Sequence, residues 1–204
     1  MGKISISLRK SAWLLALLII TSALPARAQS EFYDEFYDDL DYQEFLFKFD
    51  YRDDLNGYIV SPNGEWVGDP HKLQIPSIYL KDGEPVVGLS GFGGLKYLDQ
   101  IIFPENCHVK EICDNCFQQC EMLGSSEIEE LTLPESVETI GNNAFRDCTG
   151  LLRINLSSNL KSIGVSAFEN CKSLTSITLP KSLKVIREYA FQECTGLQSV
   201  VFED

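Results

Sequence analysis

The sequence predicts a solenoid of stacked coils, in which each coil of about 23 residues contributes one short parallel strand. The first observation behind this prediction is a repeated motif, alanine-phenylalanine-x-x-cysteine, whose phenylalanines Phe145, Phe168 and Phe191 are 23 residues apart. The second is that five further columns stay apolar in the same register, and one of them contains Leu131, Ile154, Ile177 and Val200. A single coil cannot bury its apolar side, whereas three or more stacked coils make a continuous core. Apolar columns at a fixed period therefore indicate stacking.

Within one repeat, the segment LTSITLP at 174–180 has the alternation that is typical of a strand. Ile177 and Leu179 are expected to point into the core, and Ser176 and Thr178 outward. A proline ends the strand because it brings no N–H group to a ladder. We expect equivalent strands of successive coils to pair in parallel. The rest of each coil is expected to cross the outer, convex side as irregular or short helical chain.

The repeat extends upstream with a less regular spacing. Phe117 precedes Phe145 by 28 residues, and Phe92 precedes Phe117 by 25. The extra residues before Phe145 include a glycine and two serines at 124–126, which predict a loop. This count gives five phenylalanine-centred units and a sixth strand within 197–204. The alanine and cysteine of the motif are interpreted as small core residues, and the two variable residues between Phe and Cys as facing water.

These columns resemble the BspA-like, or Treponema pallidum-type, leucine-rich repeat family. The unit of that family, LxxIxLPxSLxxIGxxAFxxC, is matched by LTSITLPKSLKVIREYAFQEC at 174–194 and in large part by LTLPESVETIGNNAFRDC at 131–148. The resemblance covers about 65–204 and departs from the pattern where Arg187 replaces glycine and Ser157 replaces proline. It implies an α/β-type leucine-rich repeat solenoid without catalytic residues. It also implies an exported or surface-displayed protein that adheres to host proteins or other cells.

Residues 1–28 are predicted to be a signal peptide. A basic start is followed by an apolar run at 12–24 that is too short to span a bilayer. Ala26-Arg27-Ala28 then provides the small-x-small pattern after which signal peptidase cleaves. An uncleaved membrane anchor is the alternative. The mature chain is therefore expected to be secreted or held at the cell surface, without insertion into the membrane.

The mature chain is strongly acidic. Cleavage after residue 28 removes four basic residues and takes the formal net charge from −13 to −17. Such a surface repels phosphate groups, so nucleic acid and anionic lipid are not expected as partners.

Between the signal peptide and the repeats, the sequence predicts an acidic lead and a cap. Residues 31–54 contain ten carboxylates, two basic groups and nine aromatic residues. We interpret 29–44 as a loosely ordered acidic aromatic lead, with an interaction tag for a basic partner surface as the alternative. Residues 45–90 are predicted to form a β-rich N-terminal cap and a first degenerate repeat, with a hairpin turn at Asn56-Gly57. Residues 91–204 are then the leucine-rich repeats.

The outward positions of the predicted strands give a candidate ligand-binding face. Its residues are Gln100, Glu130, Thr132, Arg153, Asn155, Ser176, Thr178 and Ser199. Stacked strands form the extended faces that solenoids use for recognition. The expected ligand is therefore a protein or a glycan, on a host or neighbouring cell. A solvated sheet face without a ligand is the alternative interpretation.

The cysteines outside the repeat columns are the other candidate site. Cys107 and Cys113 are six residues apart, which in an exported protein favours a disulfide between them. Zinc binding by these two residues with His108, Cys116 and Cys120 is disfavoured, because Cys116 and Cys120 occupy core columns. The sequence contains no recognised catalytic, metal-binding or cofactor-binding motif, so we expect a protein that is not an enzyme and uses no cofactor.

The C-terminal segment LQSVVFED at 197–204 predicts a strand with an open edge and no polar cap. An unpaired edge is a template on which another chain can pair. We therefore expect self-association or capping by a partner at this edge. The alternative function to ligand binding is a structural surface or matrix component that assembles in this way.

Overall fold

The computed structural model describes residues 46–63, 71–125 and 130–203. The predicted signal peptide and acidic lead lie outside these residues. The strands, in chain order, are β1 (Phe47–Arg52), β2 (Gly57–Pro62), β3 (Lys72–Gln74), β4 (Val86–Leu89), β5 (Gln100–Ile102), β6 (Glu111–Ile112), β7 (Leu131–Thr132), β8 (Thr139–Ile140), β9 (Ile154–Asn155), β10 (Ser162–Ile163), β11 (Ser176–Leu179), β12 (Val185–Ile186) and β13 (Ser199–Phe202). A seven-stranded sheet has the order β1-β2-β4-β6-β8-β10-β12, and three two-stranded sheets are formed by β3 with β5, β7 with β9 and β11 with β13. Apart from the antiparallel pair of β1 and β2, these strands pair in parallel.

Each regular coil contains two short strands, one more than the sequence predicted. The predicted row consists of β3, β5, β7, β9, β11 and β13. The second row runs from β4 to β12, and in it Ile112, Ile140 and Ile163 lie in register on successive coils. The strands β6, β8, β10 and β12 are two residues long, too short to show alternation in a sequence. The rest of each coil is irregular, as expected, apart from these short strands, and its described residues form turns rather than helices.

The phenylalanines of the repeat form a continuous stack through the core. The ring centroids of Phe92 and Phe117 are 5.7 Å apart, and those of Phe117 and Phe145 are 5.6 Å apart. The next two steps, to Phe168 and to Phe191, are 5.3 Å each with nearly parallel rings. The first four of these side chains are fully buried. The predicted solenoid, with its five phenylalanine-centred units, is therefore confirmed.

The cysteine of each motif has a hydrogen-bonding role that the sequence did not indicate. Cys120, Cys148, Cys171 and Cys194 each donate an S–H hydrogen bond to the backbone carbonyl oxygen of a phenylalanine in the preceding coil, at 3.0–3.3 Å. Three of these oxygens also accept the N–H group of the cysteine in their own coil. Cysteine therefore satisfies a second lone pair of a buried carbonyl while it fills an apolar space.

The variable residues between Phe and Cys also have a structural role. The second of them has a positive φ of 58–63° in four coils, at Gln119, Asp147, Asn170 and Glu193, and the equivalent Gly94 of the Phe92 coil has a φ of 81°. This left-handed conformation turns the chain, and asparagine and aspartate tolerate it better than most residues. Asn170 Nδ2 donates to Asp147 Oδ1 of the preceding coil at 2.6 Å. These positions are all at least partly exposed, as expected, and the backbone turn and this side-chain contact constrain them as well.

An N-terminal hairpin covers the first coil, as the sequence predicted. The strands β1 and β2 are joined by residues 53–56, in which Asn56 has a φ of 54°. β2 then pairs with β4 and so continues the seven-stranded sheet. The Phe47 ring, 2% exposed, packs edge-on against the Phe92 ring with a centroid distance of 6.3 Å. This ring covers the end of the phenylalanine stack. The division of the chain at 29–44, 45–90 and 91–204 stays a prediction.

The first row of strands is interrupted between β5 and β7. Among the described residues, these two strands of successive coils do not pair, and β5 pairs with β3. This interruption lies in the unit whose phenylalanines are 28 rather than 23 residues apart, whereas β9 and β11, which also do not pair, belong to a unit of regular spacing. A cleft lies beside the interruption between β5 and β7.

Candidate ligand-binding face

The eight predicted residues of the strand face are all at least partly exposed. The alternation rule therefore placed them on the correct side of the strands. Four of them are brought together on β7, β9 and the residues next to these strands. Arg153 Nη1 donates to Glu130 Oε1 at 3.2 Å, and Asn155 Nδ2 donates to Glu130 Oε2 at 2.8 Å. Asn155 Nδ2 also lies 3.2 Å from Thr132 Oγ1. We call Glu130, Thr132, Arg153 and Asn155 the polar network.

A cleft of about 410 Å³ lies beside the polar network, where β5 and β7 do not pair. Its volume is in the range of ligand pockets, which is roughly 300–1,000 Å³. The residues that line it are Lys72, Asp99, Gln100, Ile101, Phe103, Gly124, Glu130, Leu131, Thr132 and Pro134. Three predicted residues, Gln100, Glu130 and Thr132, therefore lie in the cleft wall. The lining combines apolar residues such as Ile101 and Leu131 with charged ones such as Lys72 and Asp99, which suits a ligand with both polar and apolar groups.

Two cleft residues, Lys72 and Asp99, were not predicted from the sequence. Lys72 begins β3 and lies in register with Gln100 of β5. The segment HKLQI at 71–75 alternates as a strand does, and this alternation places Lys72 outward. Recognising that strand would therefore have identified Lys72. Asp99 lies next to β5, and its carboxylate is 3.6 Å from Nδ1 of His71.

The remaining predicted residues lie apart from the polar network. Ser176 and Ser199 are register partners in the sheet of β11 and β13, and Thr178 lies on the same strand as Ser176. These strands do not pair with β9. The predicted face is therefore divided into the polar network with its cleft and a second group of short hydroxyl side chains.

Cys107 and Cys113 are both free thiols in the structure. Burial raises the pKa of the Cys107 thiol. Burial, and then the neighbouring Glu111 carboxylate, raises the pKa of Cys113 to about 12. Both groups are therefore protonated near neutral pH, and the bridge between them stays a prediction. Within 46–63, 71–125 and 130–203, no three His, Cys, Asp or Glu side chains are grouped so that they could hold a metal ion.

The sequence model for the BspA-type leucine-rich repeat region matches residues 71–128 and 121–204, with six copies of the repeat. The chain belongs to this family. The resemblance seen in the repeat columns is thus confirmed. Proteins with leucine-rich repeats are generally protein-interaction modules, and this family and its structural neighbours are typically non-enzymatic binding proteins.

Six solved structures match this chain, and two of them serve for comparison. A leucine-rich repeat protein of T. pallidum is 30% identical with a TM-score of 0.65, and the match covers 76% of this chain and 68% of that protein. The pneumococcal vaccine antigen PcpA is 26% identical with a TM-score of 0.55, and the match covers 78% of this chain and 48% of that protein. No curated protein sequence matches the chain significantly. In the part of the chain that the structure describes, no helix has the length and apolarity needed to cross a bilayer.

Proposed function

We propose that this protein is an exported, non-enzymatic adhesion module that captures a protein or glycan ligand on its strand face. The observation that carries the proposal is the polar network of Glu130, Thr132, Arg153 and Asn155, of which Glu130 and Thr132 line the 410 Å³ cleft. Membership of a family of interaction modules supports it.

The hydrogen bonds of the polar network explain how exposed side chains could bind a ligand. Arg153 is half-exposed and paired with the Glu130 carboxylate, which also accepts from Asn155. A side chain that is already held in place loses less conformational entropy when a ligand docks. The guanidinium of Arg153 keeps donors for a ligand carboxylate, carbonyl or hydroxyl group, since one nitrogen contacts Glu130. Electrostatics and hydrogen bonding at the polar network would then select the ligand, while the apolar residues that line the cleft supply contact area.

Replacing Arg153 with alanine tests the proposed face. Residues 29–204 are first screened against immobilised matrix proteins and a glycan array, and the affinity of each hit is then measured by surface plasmon resonance. We expect Arg153→Ala to weaken binding by about tenfold, the size of effect that marks an important interface residue. The matched control is Arg187→Ala, which removes the same exposed side chain directly after β12 of the other strand row.

Both variants should keep the circular dichroism spectrum and melting temperature of the parent protein. If the parent and the Arg153→Ala variant were both folded and bound with equal affinity, the polar network would not be part of the binding site. Absence of any hit in the screen would count against the binding function itself.

Export of the chain is part of this proposal. The signal-peptide pattern of residues 1–28 supports it, and so does the similarity to a pneumococcal vaccine antigen. N-terminal sequencing of protein recovered outside the producing cell is expected to start at Gln29. A mature protein that retains residues 12–24 would instead support the membrane anchor.

A structural role through self-association is the second candidate, and one observation favours it. All residues of β13 are exposed, with Phe202 71% and Val201 51% accessible. A second copy could pair with this edge and cover its apolar side chains. Light scattering is expected to show concentration-dependent dimers or larger species, and Phe202→Asp is expected to abolish them without affecting ligand capture. A monomer at all concentrations would contradict this candidate.

A further inference from the structure

We propose that Cys171 and Cys194 are a redox-active pair that forms a disulfide between two successive coils when the protein meets a disulfide oxidant. This inference depends on the proposed export for access to such an oxidant and does not depend on ligand binding.

The geometry of the stack brings the two thiols together. Each cysteine follows the phenylalanine of its own coil by three residues, and the Phe168 and Phe191 rings lie 5.3 Å apart with an interplanar angle of 0°. A coil spacing of this size is within the roughly 4.4–6.8 Å between Cα atoms that a disulfide spans. The backbones of the two coils are hydrogen-bonded next to the cysteines, where Phe168 N donates to Ala190 O and Asn170 N donates to Gln192 O, both at 2.8 Å. Little movement is therefore needed to join the two sulfur atoms.

Access distinguishes this pair from the other cysteines of the ladder. Cys120, Cys148 and Cys171 have no exposed surface, whereas Cys194 is partly exposed. An oxidant can therefore reach Cys194 but not the buried thiols. The disulfide can then form only with the neighbour below Cys194, which is Cys171.

The electrostatics of the pair favour attack by Cys194. Interaction with the neighbouring Cys171 thiol lowers the pKa of the Cys194 thiol, although burial acts in the opposite direction. The same interaction, followed by burial, raises the pKa of Cys171. The thiolate, not the thiol, is the nucleophile in exchange reactions. Cys194 is therefore the member of the pair that reacts first.

The reaction is thiol–disulfide exchange in two steps. The Cys194 thiolate attacks one sulfur of a small-molecule disulfide such as oxidised glutathione, and one glutathione thiolate leaves. Cys171 then loses its proton and attacks the Cys194 sulfur, which breaks the mixed disulfide and releases the second glutathione. Two cysteines are oxidised and one oxidant disulfide is reduced to two thiols. The hydrogen bonds that Cys171 and Cys194 donate to Phe145 and Phe168 are lost in the product.

Peptide mapping of the oxidised protein tests this inference. Residues 29–204 are incubated with oxidised glutathione, unfolded, alkylated with iodoacetamide and digested with trypsin without reduction. We expect the peptide 162–172, which contains Cys171, to be joined to the peptide 188–204, which contains Cys194. A bridge between Cys107 and Cys113 would join 97–110 to 111–146 instead, so the two disulfides are distinguishable.

Variants complete the experiment. Cys148→Ser is expected to leave the joined peptides in place, and Cys194→Ser to abolish them and leave Cys171 alkylated. Cys171→Ser is expected to trap Cys194 as a mixed disulfide with glutathione. The inference would be overturned if Cys171 and Cys194 of the parent protein were both alkylated, or if Cys194 carried glutathione only or joined two chains. None of these outcomes depends on ligand capture, so failure here leaves the proposed function unaffected.

Discussion

Replacing Phe168 with alanine is expected to lower the free energy of unfolding by about 3–5 kcal/mol, because a fully buried ring leaves a cavity that the coils cannot close. The ring is 0% exposed and lies 5.3 Å from the Phe145 ring on one side and from the Phe191 ring on the other. Its removal therefore interrupts the stack between two coils. The backbone ladder on both sides, where Phe145 N donates to Ala167 O and Phe168 N to Ala190 O, resists collapse into the cavity.

Urea unfolding followed by circular dichroism measures this effect. The control is Lys172→Ala in the same coil, which removes an exposed side chain and should change stability by less than about 0.5 kcal/mol. Glu169 is a weaker control, because its carboxylate pairs with Arg146 at 3.3 Å and is only 17% exposed. Equal losses for Phe168→Ala and Lys172→Ala would show that the ring is not a core residue.

Replacing Gly164 with alanine is expected to lower the free energy of unfolding by about 1–3 kcal/mol, since it overpacks a closed site. A Cβ atom at this position would lie 2.5 Å from the carbonyl carbon of Gly141 and 2.6 Å from the backbone nitrogen of Asn142. Both atoms belong to the backbone of the preceding coil, so no flexible side chain can move aside. The two coils must separate locally, which weakens the bond from Gly164 N to Ile140 O.

Arg187→Ala is the matched control for this glycine column. Arg187 occupies the equivalent position one coil later and is exposed, so shortening its side chain should change stability by less than about 0.5 kcal/mol. The same urea titration compares the two variants. A Gly164→Ala protein as stable as its parent would mean that the coils are not packed as closely as the structure shows.

The core of this fold could be predicted from the sequence because its columns repeat the same residues. Phe145, Phe168 and Phe191 share a spacing of 23 residues, and stacking is the arrangement that buries such a series. The hairpin could be predicted as well, from strict alternation before Asn56-Gly57. The second strand row could not be predicted, because a strand of two residues, such as Ser162–Ile163, is too short to show alternation. Its pairing depends on the neighbouring coils and not on local propensity.

The candidate face was predictable only as a set of outward positions. Alternation identifies Glu130 and Arg153 as exposed. The contact between them joins residues 23 positions apart and depends on their side-chain rotamers, which alternation does not predict. The cleft lies where β5 and β7 do not pair, and the sequence does not indicate which neighbouring strands of the row fail to pair. The thiol–carbonyl bonds of the cysteine ladder were missed for a related reason. The repeat columns indicate a small apolar residue at the cysteine position, and nothing in the sequence indicates that the Cys171 thiol lies 3.2 Å from the Phe145 oxygen.

The contacts between phenylalanine rings of successive coils test the account most directly. In a protein labelled selectively at phenylalanine, nuclear Overhauser effects between ring protons report centroid separations near 5.3 Å. We expect cross-peaks that join Phe145 to Phe168 and Phe168 to Phe191, with none that joins Phe145 directly to Phe191, and loss of both in Phe168→Ala. Rings without mutual contacts, or a direct contact between Phe145 and Phe191, would contradict the stacking of successive coils.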